Sequence, residues 1–291
     1  MKKVLITGAT GNVGMEVIKS LQKFDLPFDV YAGVRDLAAD KLKLADFKIK
    51  LSRFDFTDIT SYQQGLTDCD ILFLLRPPQI SAVEKYFAPI IDTCKEKGVQ
   101  HIVFLSVQGV EKSTLIPHHH IERLIVSSKI PYTFLRPAYF MQNFTTTLHK
   151  DLVNKRQIYL PAGKAKFTLI DVRDIGEVFS VILTNLSQHT NKSYELTSIE
   201  KLTFSEMART LSVILGTEIK FKSPNLLSFF LTKRNEKVPT PLILVMIMLH
   251  YFPRFQKDPV ITDWVEKITG RRPTSFEQFV KDNKNKLLDD G

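Results

Sequence analysis

An apolar run followed by three glycines opens the chain: Lys3-Val4-Leu5-Ile6-Thr7-Gly8-Ala9-Thr10-Gly11-Asn12-Val13-Gly14. Residues 3–7 have the pattern of a buried parallel strand, and apolar residues recur at helical spacing over 12–24. Glycines at such a junction allow a tight turn, close helix–strand packing and the approach of backbone N–H groups to a pyrophosphate, which the helix N-terminus also attracts. The spacing predicts a dinucleotide-binding loop made by Gly8, Thr10, Gly11, Asn12, Val13 and Gly14. The alternative is a tight turn without a ligand.

Apolar strands alternate with helices through the first half of the chain. Strands are predicted at 3–7, 28–34, 48–54, 70–75, 101–106 and 132–135, with later helices at 84–97 and 121–128. This alternation implies right-handed crossovers and an α/β fold, a Rossmann-like doubly wound parallel sheet covered on both faces. Beyond about residue 145 the alternation weakens to strands at 167–170 and 193–197 and helices from Ser205, Leu226 and Thr274, the last with capping-box spacing. We therefore expect a Rossmann domain at 1–150 and a smaller, mostly helical region at 151–291, with an approximate, interleaved boundary.

Arg35 stands where the second predicted strand ends. An NAD-selective site usually has a carboxylate at this strand end for the ribose 2′-hydroxyl, whereas an arginine accommodates a 2′-phosphate. The sequence therefore favours NADP (NADPH) over NAD. Asp36 follows at once and could blur this selectivity, and a solvated loop charge is the alternative interpretation of Arg35.

Further residues follow the third, fourth and fifth strands, at the carboxyl edge where open α/β sheets bind ligands. Asp55 and Phe56 are expected near an adenine, with Asp55 accepting a hydrogen bond from its amino group. Helix capping by residues 57 and 58 is the alternative role for this segment. Arg76 and Pro77 are expected to form a wall beside the cofactor, and Ser106 closes the fifth strand.

Composition narrows the function classes. The chain of 291 residues carries a formal charge of +9, with 19 Lys+Arg against 15 Asp+Glu in 1–150 and 21 against 16 in 151–291. Because no basic block stands out, we expect no nucleic-acid partner. The two cysteines lack metal-ligand spacing and no signal peptide precedes the first strand, which predicts a cytoplasmic protein with reduced thiols and no metal. The longest apolar run, 242–249, is too short for a membrane span.

Several motifs together resemble the NmrA-like family of atypical short-chain dehydrogenase/reductases, collinearly over nearly the whole chain. They are the Gly8 loop, Val34-Arg35, and the segments 101–106, 130–137, 140–143, 171–174, 194–197 and 269–274. The family includes NADPH-dependent quinone and azo-dye reductases and NAD(P)-sensing regulators. The resemblance implies a Rossmann domain and a smaller carboxyl-terminal region that forms the substrate cleft.

The Tyr-x-x-x-Lys pair of the standard short-chain enzymes is missing, since none of the eight tyrosines has a lysine four residues later. The resemblance places the start of the helix before the sixth strand where related proteins carry the active-site lysine, and this chain has three histidines there. His118, with His120 close behind, is the candidate proton donor or hydrogen-bond partner of the nicotinamide ribose. His118 and Glu122 would share a helix face. An exposed, histidine-rich helix start is the alternative, and consecutive helical residues are poorly placed to share a metal ion.

Candidate substrate residues follow the sixth strand. Tyr139, Phe140 and Asn143 are expected to line the mouth of the cleft, although the two aromatic residues could instead pack a core. The segment 242–252 is apolar on nearly all sides, which predicts burial; it could roof the substrate cleft, form a dimer contact or touch a membrane surface. Phe229, Phe230, Phe252 and Phe255 suit an aromatic-lined pocket.

Two functions follow from these observations. The first is an NAD(P)H-dependent oxidoreductase that transfers hydride to a small-molecule acceptor, a quinone, azo or similar conjugated compound. The second is a non-catalytic NAD(P)-sensing regulator that binds a protein partner. Epimerase or dehydratase chemistry on a nucleotide sugar is disfavoured by the missing tyrosine–lysine pair. We expect a monomer or a homodimer.

Overall fold

A computed structural model of the chain describes residues 1–24 and 27–289. Twelve strands are found in this part of the chain: β1 Lys2–Ile6, β2 Phe28–Val34, β3 Lys50–Arg53, β4 Ile71–Leu75, β5 His101–Leu105, β6 Tyr132–Pro137, β7 Tyr139–Phe140, β8 Gln157–Tyr159, β9 Lys166–Ile170, β10 Lys192–Leu196, β11 Lys201–Thr203 and β12 Lys220–Lys222.

The same residues contain thirteen α-helices and four short 3-10 helices. The α-helices are α1 Asn12–Leu21, α2 Leu37–Lys43, α3 Ile59–Gly65, α4 Val83–Glu96, α5 Pro117–Ser128, α6 His149–Lys155, α7 Val172–Thr184, α8 Phe204–Leu215, α9 Leu226–Asn235, α10 Thr240–Tyr251, α11 Trp264–Thr269, α12 Phe276–Asp282 and α13 Lys284–Leu288. The 3-10 helices are Val110–Lys112, Met141–Thr145, Leu186–His189 and Phe252–Phe255.

The chain divides into two compact units whose segments alternate along the sequence. Unit 1 comprises Met1–Pro137, Val172–Leu196 and Trp264–Arg271. Unit 2 comprises Ala138–Asp171, Thr197–Asp263 and the remainder from Arg272.

Unit 1 is built on one seven-stranded sheet in the order β10-β6-β5-β4-β1-β2-β3. All its pairings are parallel; Leu5 of β1, for example, lies opposite Tyr31 of β2 and Leu72 of β4. The order β3-β2-β1-β4-β5-β6 is that of a dinucleotide-binding Rossmann sheet, with the switch point between β1 and β4. The predicted fold class is therefore confirmed.

Close helix packing covers this sheet. On α7, a Cβ at Gly176 would lie 2.6 Å from the backbone oxygen of Glu16, so the glycine lets α7 approach α1 closely. Ser180 donates a hydrogen bond to Ser20 across the same contact, at 2.9 Å. Phe73 of β4 packs on Phe179 with ring centroids 4.3 Å apart. These contacts fix α1, and with it the loop that precedes it.

Unit 2 is mostly helical around two small sheets, β11-β9-β7 and β12-β8. Its core joins apolar residues of α6, α8, α10 and α12, among them Leu152, Met207, Ile243 and Phe279. Helix α8 begins with a capping box, in which the Thr203 hydroxyl accepts from the Glu206 N–H and the Glu206 carboxylate accepts from the Thr203 N–H.

Three local expectations need correction. The last predicted helix begins at Phe276 and its N-cap is Ser275, whose hydroxyl accepts from the Gln278 N–H, one residue after the predicted start at Thr274. Helix α5 begins a turn before Ile121, with a proline at its first position, which suits a helix start. Helix α10 buries only Ile243, Met246 and His250, so the prediction that 242–252 is buried all round is wrong. None of the helices in the described ranges is long and apolar enough to cross a membrane.

Candidate cofactor-binding site

The glycine loop has the backbone geometry that the sequence predicts. Gly8 has φ +60°, a left-handed conformation that favours glycine, and its carbonyl accepts from the Gly11 N–H at 3.0 Å. A Cβ at Gly14 would lie 2.3 Å from the Gly8 oxygen, a distance that no side chain tolerates. The loop and α1 therefore pack so closely that positions 8 and 14 require glycine.

The start of α1 is free to receive an anion. Gly11 is its N-cap, and no side chain among the described residues caps the helix. Gly8, Gly11 and Asn12 are exposed, Thr10 is half-buried, and the Val13 side chain is buried in the core. The backbone N–H groups at the start of α1 therefore lack a capping side chain at the positive end of the helix dipole, as a pyrophosphate site requires.

Thr7 holds the ends of β1 and β4 together beside this loop. Its hydroxyl donates to the Phe73 oxygen at 3.1 Å and accepts from the Leu75 N–H at 2.8 Å. A Cβ at Gly8 would lie 3.4 Å from the Leu75 side chain, so the loop sits directly at the switch point. Sequence reasoning missed this role of Thr7. Its signal is a hydroxyl residue between a buried apolar run and the first glycine.

Arg35 and Asp36, which follow β2, differ in their contacts with the rest of the protein. Asp36 is the N-cap of α2, and its Oδ1 accepts from the N–H groups of Ala38 and Ala39. Arg35 is exposed and forms no hydrogen bond or ion pair with any residue in 1–24 or 27–289. One oxygen of the Asp36 carboxylate is thus engaged as a helix cap, whereas the whole Arg35 guanidinium remains available.

Most of the groups in the segment after β3 that could contact an adenine already have partners within the protein. Asp55 Oδ1 accepts from the N–H and the hydroxyl of Thr57, both at 2.8 Å, and Asp58 caps α3. Phe56 is buried against Phe87, with ring centroids 5.5 Å apart. The ring of Phe56 is therefore a packing residue, and only Asp55 retains a carboxylate oxygen, Oδ2, that bonds to no described residue.

Arg76 and His118, 42 positions apart, form a pair beside the end of β4. Arg76 Nε donates to His118 Nε2 at 3.3 Å, and Arg76 Nη1 donates to the carbonyls of Pro77, Pro78 and Ile80. Burial, reinforced by the Arg76 charge, lowers the pKa of His118 to about 3. The imidazole is therefore neutral at physiological pH, and since Nε2 accepts a bond, its proton lies on Nδ1.

Two neighbours on α5 behave differently from His118. His120 is exposed, with its ring 5.9 Å from that of His119. Glu122, on the face shared with His118, binds Arg136 through both carboxylate oxygens, at 3.0 and 2.8 Å. The Glu122 carboxylate is therefore bound to Arg136 of β6 and does not orient the His118 imidazole.

Ser106 is an unsatisfied polar group at the same edge. It is buried directly after β5, its N–H donates to the Leu135 oxygen at 2.8 Å, and its hydroxyl has no partner among the described residues. Buried hydroxyls normally have a hydrogen-bond partner, so an unpartnered hydroxyl at a ligand-binding edge suits a ligand hydroxyl or amide. Together with the uncapped start of α1 and Arg35, Ser106 makes the carboxyl edge of β1, β2 and β5 fit a dinucleotide.

In the part of the chain that the structure describes, no cluster of three or more His, Cys, Asp or Glu could hold a metal ion.

In unit 2, Tyr139 is tied into an aromatic core. Its hydroxyl lies 3.1 Å from His250 Nε2, and its ring packs edge-on against Phe204 at 5.7 Å. His250 Nδ1 lies 2.6 Å from the Met246 carbonyl, to which it donates, so Nε2 accepts from Tyr139. Burial raises the pKa of Tyr139 well above its usual range and lowers the pKa of His250 to about 4. Both groups are neutral at physiological pH, as a core hydrogen bond requires.

Phe140 and Asn143 are half-buried, as Tyr139 is. Phe140 ends β7, opposite Ile170, and Asn143 lies in the 3-10 helix that follows. The predicted aromatic pocket is not assembled as expected, because Phe229 is fully buried in the core whereas Phe252 and Phe255 are 54% and 70% exposed. Sequence periodicity gave no sign of this division.

Comparison with known proteins gives one matching family and several similar proteins. The NmrA-like family matches residues 1–279. Prestalk A differentiation protein A of Dictyostelium discoideum is 31% identical, over 96% of this chain and 91% of that protein. NAD(P)H azoreductase of Xenophilus azovorans is 28% identical, over 96% of each chain.

Solved structures share the fold. Citrobacter sp. triphenylmethane reductase complexed with NADP(H) has a TM-score of 0.83 at 24% identity, covering 96% of this chain and 99% of that one. NADPH-dependent quinone oxidoreductase QOR2 of Escherichia coli, complexed with NADPH, has a TM-score of 0.82 at 21% identity, with 96% and 99% coverage. NmrA, a negative transcriptional regulator, in complex with NAD, has a TM-score of 0.74 at 16% identity, with 96% and 94% coverage.

Proposed function

Because the chain belongs to the NmrA-like family, we propose that it is an NAD(P)H-dependent oxidoreductase that reduces a quinone, azo or similar conjugated acceptor. The observation that carries this proposal is the exposed glycine loop at the uncapped start of α1, beside the orphaned Ser106 hydroxyl. The names of relatives and structural neighbours, an azoreductase, a triphenylmethane reductase and a quinone oxidoreductase, support the same class of acceptor.

Arg35 supports NADP as the preferred cofactor. The guanidinium is exposed and unpaired among the described residues, whereas the adjacent Asp36 carboxylate is held by two backbone N–H groups. A free guanidinium at this strand end stabilises a 2′-phosphate and offers nothing comparable to a 2′-hydroxyl.

The reduced nicotinamide, when bound, supplies the hydride. The residues of unit 1 would hold it: the amides after Gly8 bind the pyrophosphate, Arg35 the 2′-phosphate, and Ser106 a polar group of the nicotinamide half. His118 is neutral and donates through Nδ1, so it positions a ribose hydroxyl and does not supply a proton. His120, which is exposed, would have no part in the transfer. Tyr139, Phe140 and Asn143 remain the proposed acceptor-side residues of unit 2, with Tyr139 acting as a packing group.

Two measurements test the proposal. Fluorescence titration should show NADPH binding more tightly than NADH, and Arg35→Ala should weaken NADPH by about tenfold or more while leaving NADH nearly unchanged. Asp36→Ala is unsuitable as a control because it removes a helix cap; Arg53→Ala, an exposed arginine paired with Asp58, is the matched control. NADPH oxidation is then followed with a panel of quinones, azo dyes and triphenylmethane dyes. Tight NADPH binding with no turnover on any acceptor would refute the oxidoreductase.

A cofactor-sensing regulator is the second candidate. Its specific support is that Prestalk A differentiation protein A is named for a developmental role and NmrA for transcriptional regulation. Such a protein would associate with a protein partner in a cofactor-dependent manner. Pull-down from a lysate in the presence and absence of NADP, with Arg35→Ala as the binding-deficient control, separates this candidate from the reductase.

A further inference from the structure

Helix α10 carries an unusually apolar face to solvent. Its buried residues, Ile243, Met246 and His250, form one stripe of helical spacing, and Ile247 beside them packs partly against the core. The outward residues are all apolar and 39–55% exposed: Leu242, Leu244, Val245, Met248 and Leu249. The preceding α9 adds Leu227 and Leu231, which are 70% and 52% exposed. Several exposed apolar side chains on one helix, followed along the chain by exposed aromatic ones, are typical of an interaction site. We name these seven residues the apolar face.

Exposed aromatic residues continue this face beyond α10. Phe252 and Phe255 lie on the 3-10 helix that follows, and both pack on Tyr251. The Arg254 guanidinium lies 5.0 Å from the centre of the Tyr251 ring. Aromatic rings with an adjacent arginine at the end of an apolar helix are typical of the boundary between lipid headgroups and acyl chains.

The segment that contains the apolar face carries mostly positive charge. Residues 221–257 contain six Lys+Arg and one carboxylate, a net charge of +5. Five of these cations are exposed, Lys222, Arg234, Lys237, Arg254 and Lys257, whereas Lys233 is buried. The one carboxylate, Glu236, binds Lys155 and Lys233.

This segment accounts for all of the excess charge of 151–291, so the excess positive charge of this half is concentrated in one stretch of the sequence. Just beyond it, Asp258 lies within ion-pair distance of Lys201 and Lys166, at 3.2 and 3.9 Å. The carboxylates nearest to the apolar face in sequence are therefore already paired and do not offset the exposed cations.

We propose that α9, α10 and the following 3-10 helix of unit 2 dock on the surface of an anionic phospholipid bilayer. The apolar face would enter the headgroup–acyl boundary while the five exposed cations bind lipid phosphates. A spanning mode is unavailable to the twelve residues of α10, but interfacial binding needs no span. Self-association through the same surface would bring two sets of five like charges together, which charge complementarity disfavours.

Vesicle sedimentation tests the docking directly, without cofactor or acceptor, so that its outcome does not depend on reductase activity. Wild-type protein should sediment with phosphatidylcholine vesicles that contain phosphatidylglycerol and remain in solution with phosphatidylcholine alone. Binding should fall as salt is added, because the cation–phosphate attraction is screened. Lys237→Gln and Lys257→Gln should each weaken binding by about fivefold.

The apolar contribution is tested by the double variant Leu244→Asp/Leu249→Asp, which should lose at least about tenfold in vesicle affinity. Val213→Asp is the matched control, since Val213 is a 77% exposed apolar residue on α8, outside the apolar face. Circular dichroism and thermal melting check that all variants fold. Failure of the wild type to bind anionic vesicles overturns the proposal, as does an equal loss in the control.

Sedimentation equilibrium tests whether a second copy of the chain, and not lipid, binds the apolar face. A wild-type dimer that Leu244→Asp/Leu249→Asp converts to a monomer, together with unchanged lipid binding in that variant, would assign the apolar face to self-association and overturn lipid docking. A wild-type monomer that binds anionic vesicles is the result we expect.

Discussion

Buried His250, which is hydrogen-bonded to half-buried Tyr139, predicts acid sensitivity of unit 2. Burial lowers the pKa of His250 from 6.5 to about 4, so between these values the unfolded chain binds a proton that the folded chain does not. Stability rises with pH wherever the unfolded state binds more protons. The contribution of neutral His250 is therefore complete above about pH 6.5, declines as the pH falls, and is fully lost below about pH 4.

The size of the effect follows from the two pKa values. Lowering the pH from about 7.5 to about 5 should reduce the free energy of unfolding by about 2 kcal/mol through His250 alone. Replacing His250 with glutamine removes the titration while keeping a polar side chain. Urea unfolding of wild type and His250→Gln at the two pH values, followed by circular dichroism, should show a pH-dependent loss smaller by about 2 kcal/mol in the variant.

Two comparisons make this test specific. His101 and His118, whose pKa values burial also lowers, are present in both proteins, so their contributions cancel in the difference. His120→Gln, which removes an exposed histidine from unit 1, controls for the substitution itself. An equal pH-dependent loss in wild type and His250→Gln, within about 0.5 kcal/mol, would refute the burial argument.

Three further substitutions probe unit 1. Gly14→Ala places a Cβ 2.3 Å from the Gly8 oxygen, so the loop must shift; NADPH affinity, measured by fluorescence titration, should fall at least about tenfold. Thr7→Val keeps the side-chain shape but removes two hydrogen bonds, and should lower the free energy of urea unfolding by about 1–2 kcal/mol. Glu122→Gln removes one of the two carboxylates that pair with Arg136, the other being Glu111, and should cost about 1 kcal/mol in the same assay. Unchanged values would contradict each argument in turn.

The parallel sheet could be predicted because its strands are buried on both faces and so appear as continuous apolar runs. The run ending at Leu75 is an example, and its predicted and observed limits differ by one residue. Apolar character alone misjudged α10, however. A helix that is hydrophobic on all sides satisfies a core and a lipid surface equally well, and only the flanking charges, considered together with the fold, distinguish the two.

The candidate site likewise contains features that could be predicted from the sequence and features that could not. The positions of Gly8 and Arg35 just after strand ends could be predicted from sequence because local apolar patterns reveal where each strand stops, and their proposed roles depend on those positions. The pairs Arg76–His118 and Tyr139–His250 could not, because their members lie 42 and 111 positions apart and no periodicity links them. Burial, which sets the protonation of both histidines, is likewise a property of the assembled fold.

For the proposed reductase, the Arg76–His118 pair also affects which class of hydride acceptor can be reduced. An imidazole that accepts a hydrogen bond from a guanidinium and has a pKa of about 3 cannot deliver a proton at neutral pH. With the Tyr-x-x-x-Lys pair missing as well, an acceptor that needs protonation by the protein during hydride transfer is disfavoured. A quinone or azo acceptor delocalises the charge that it gains and can take its proton from water. The neutral His118 therefore favours conjugated acceptors over ketones, and His118→Asn should leave the pH profile of NADPH oxidation unchanged over the range in which the protein is folded.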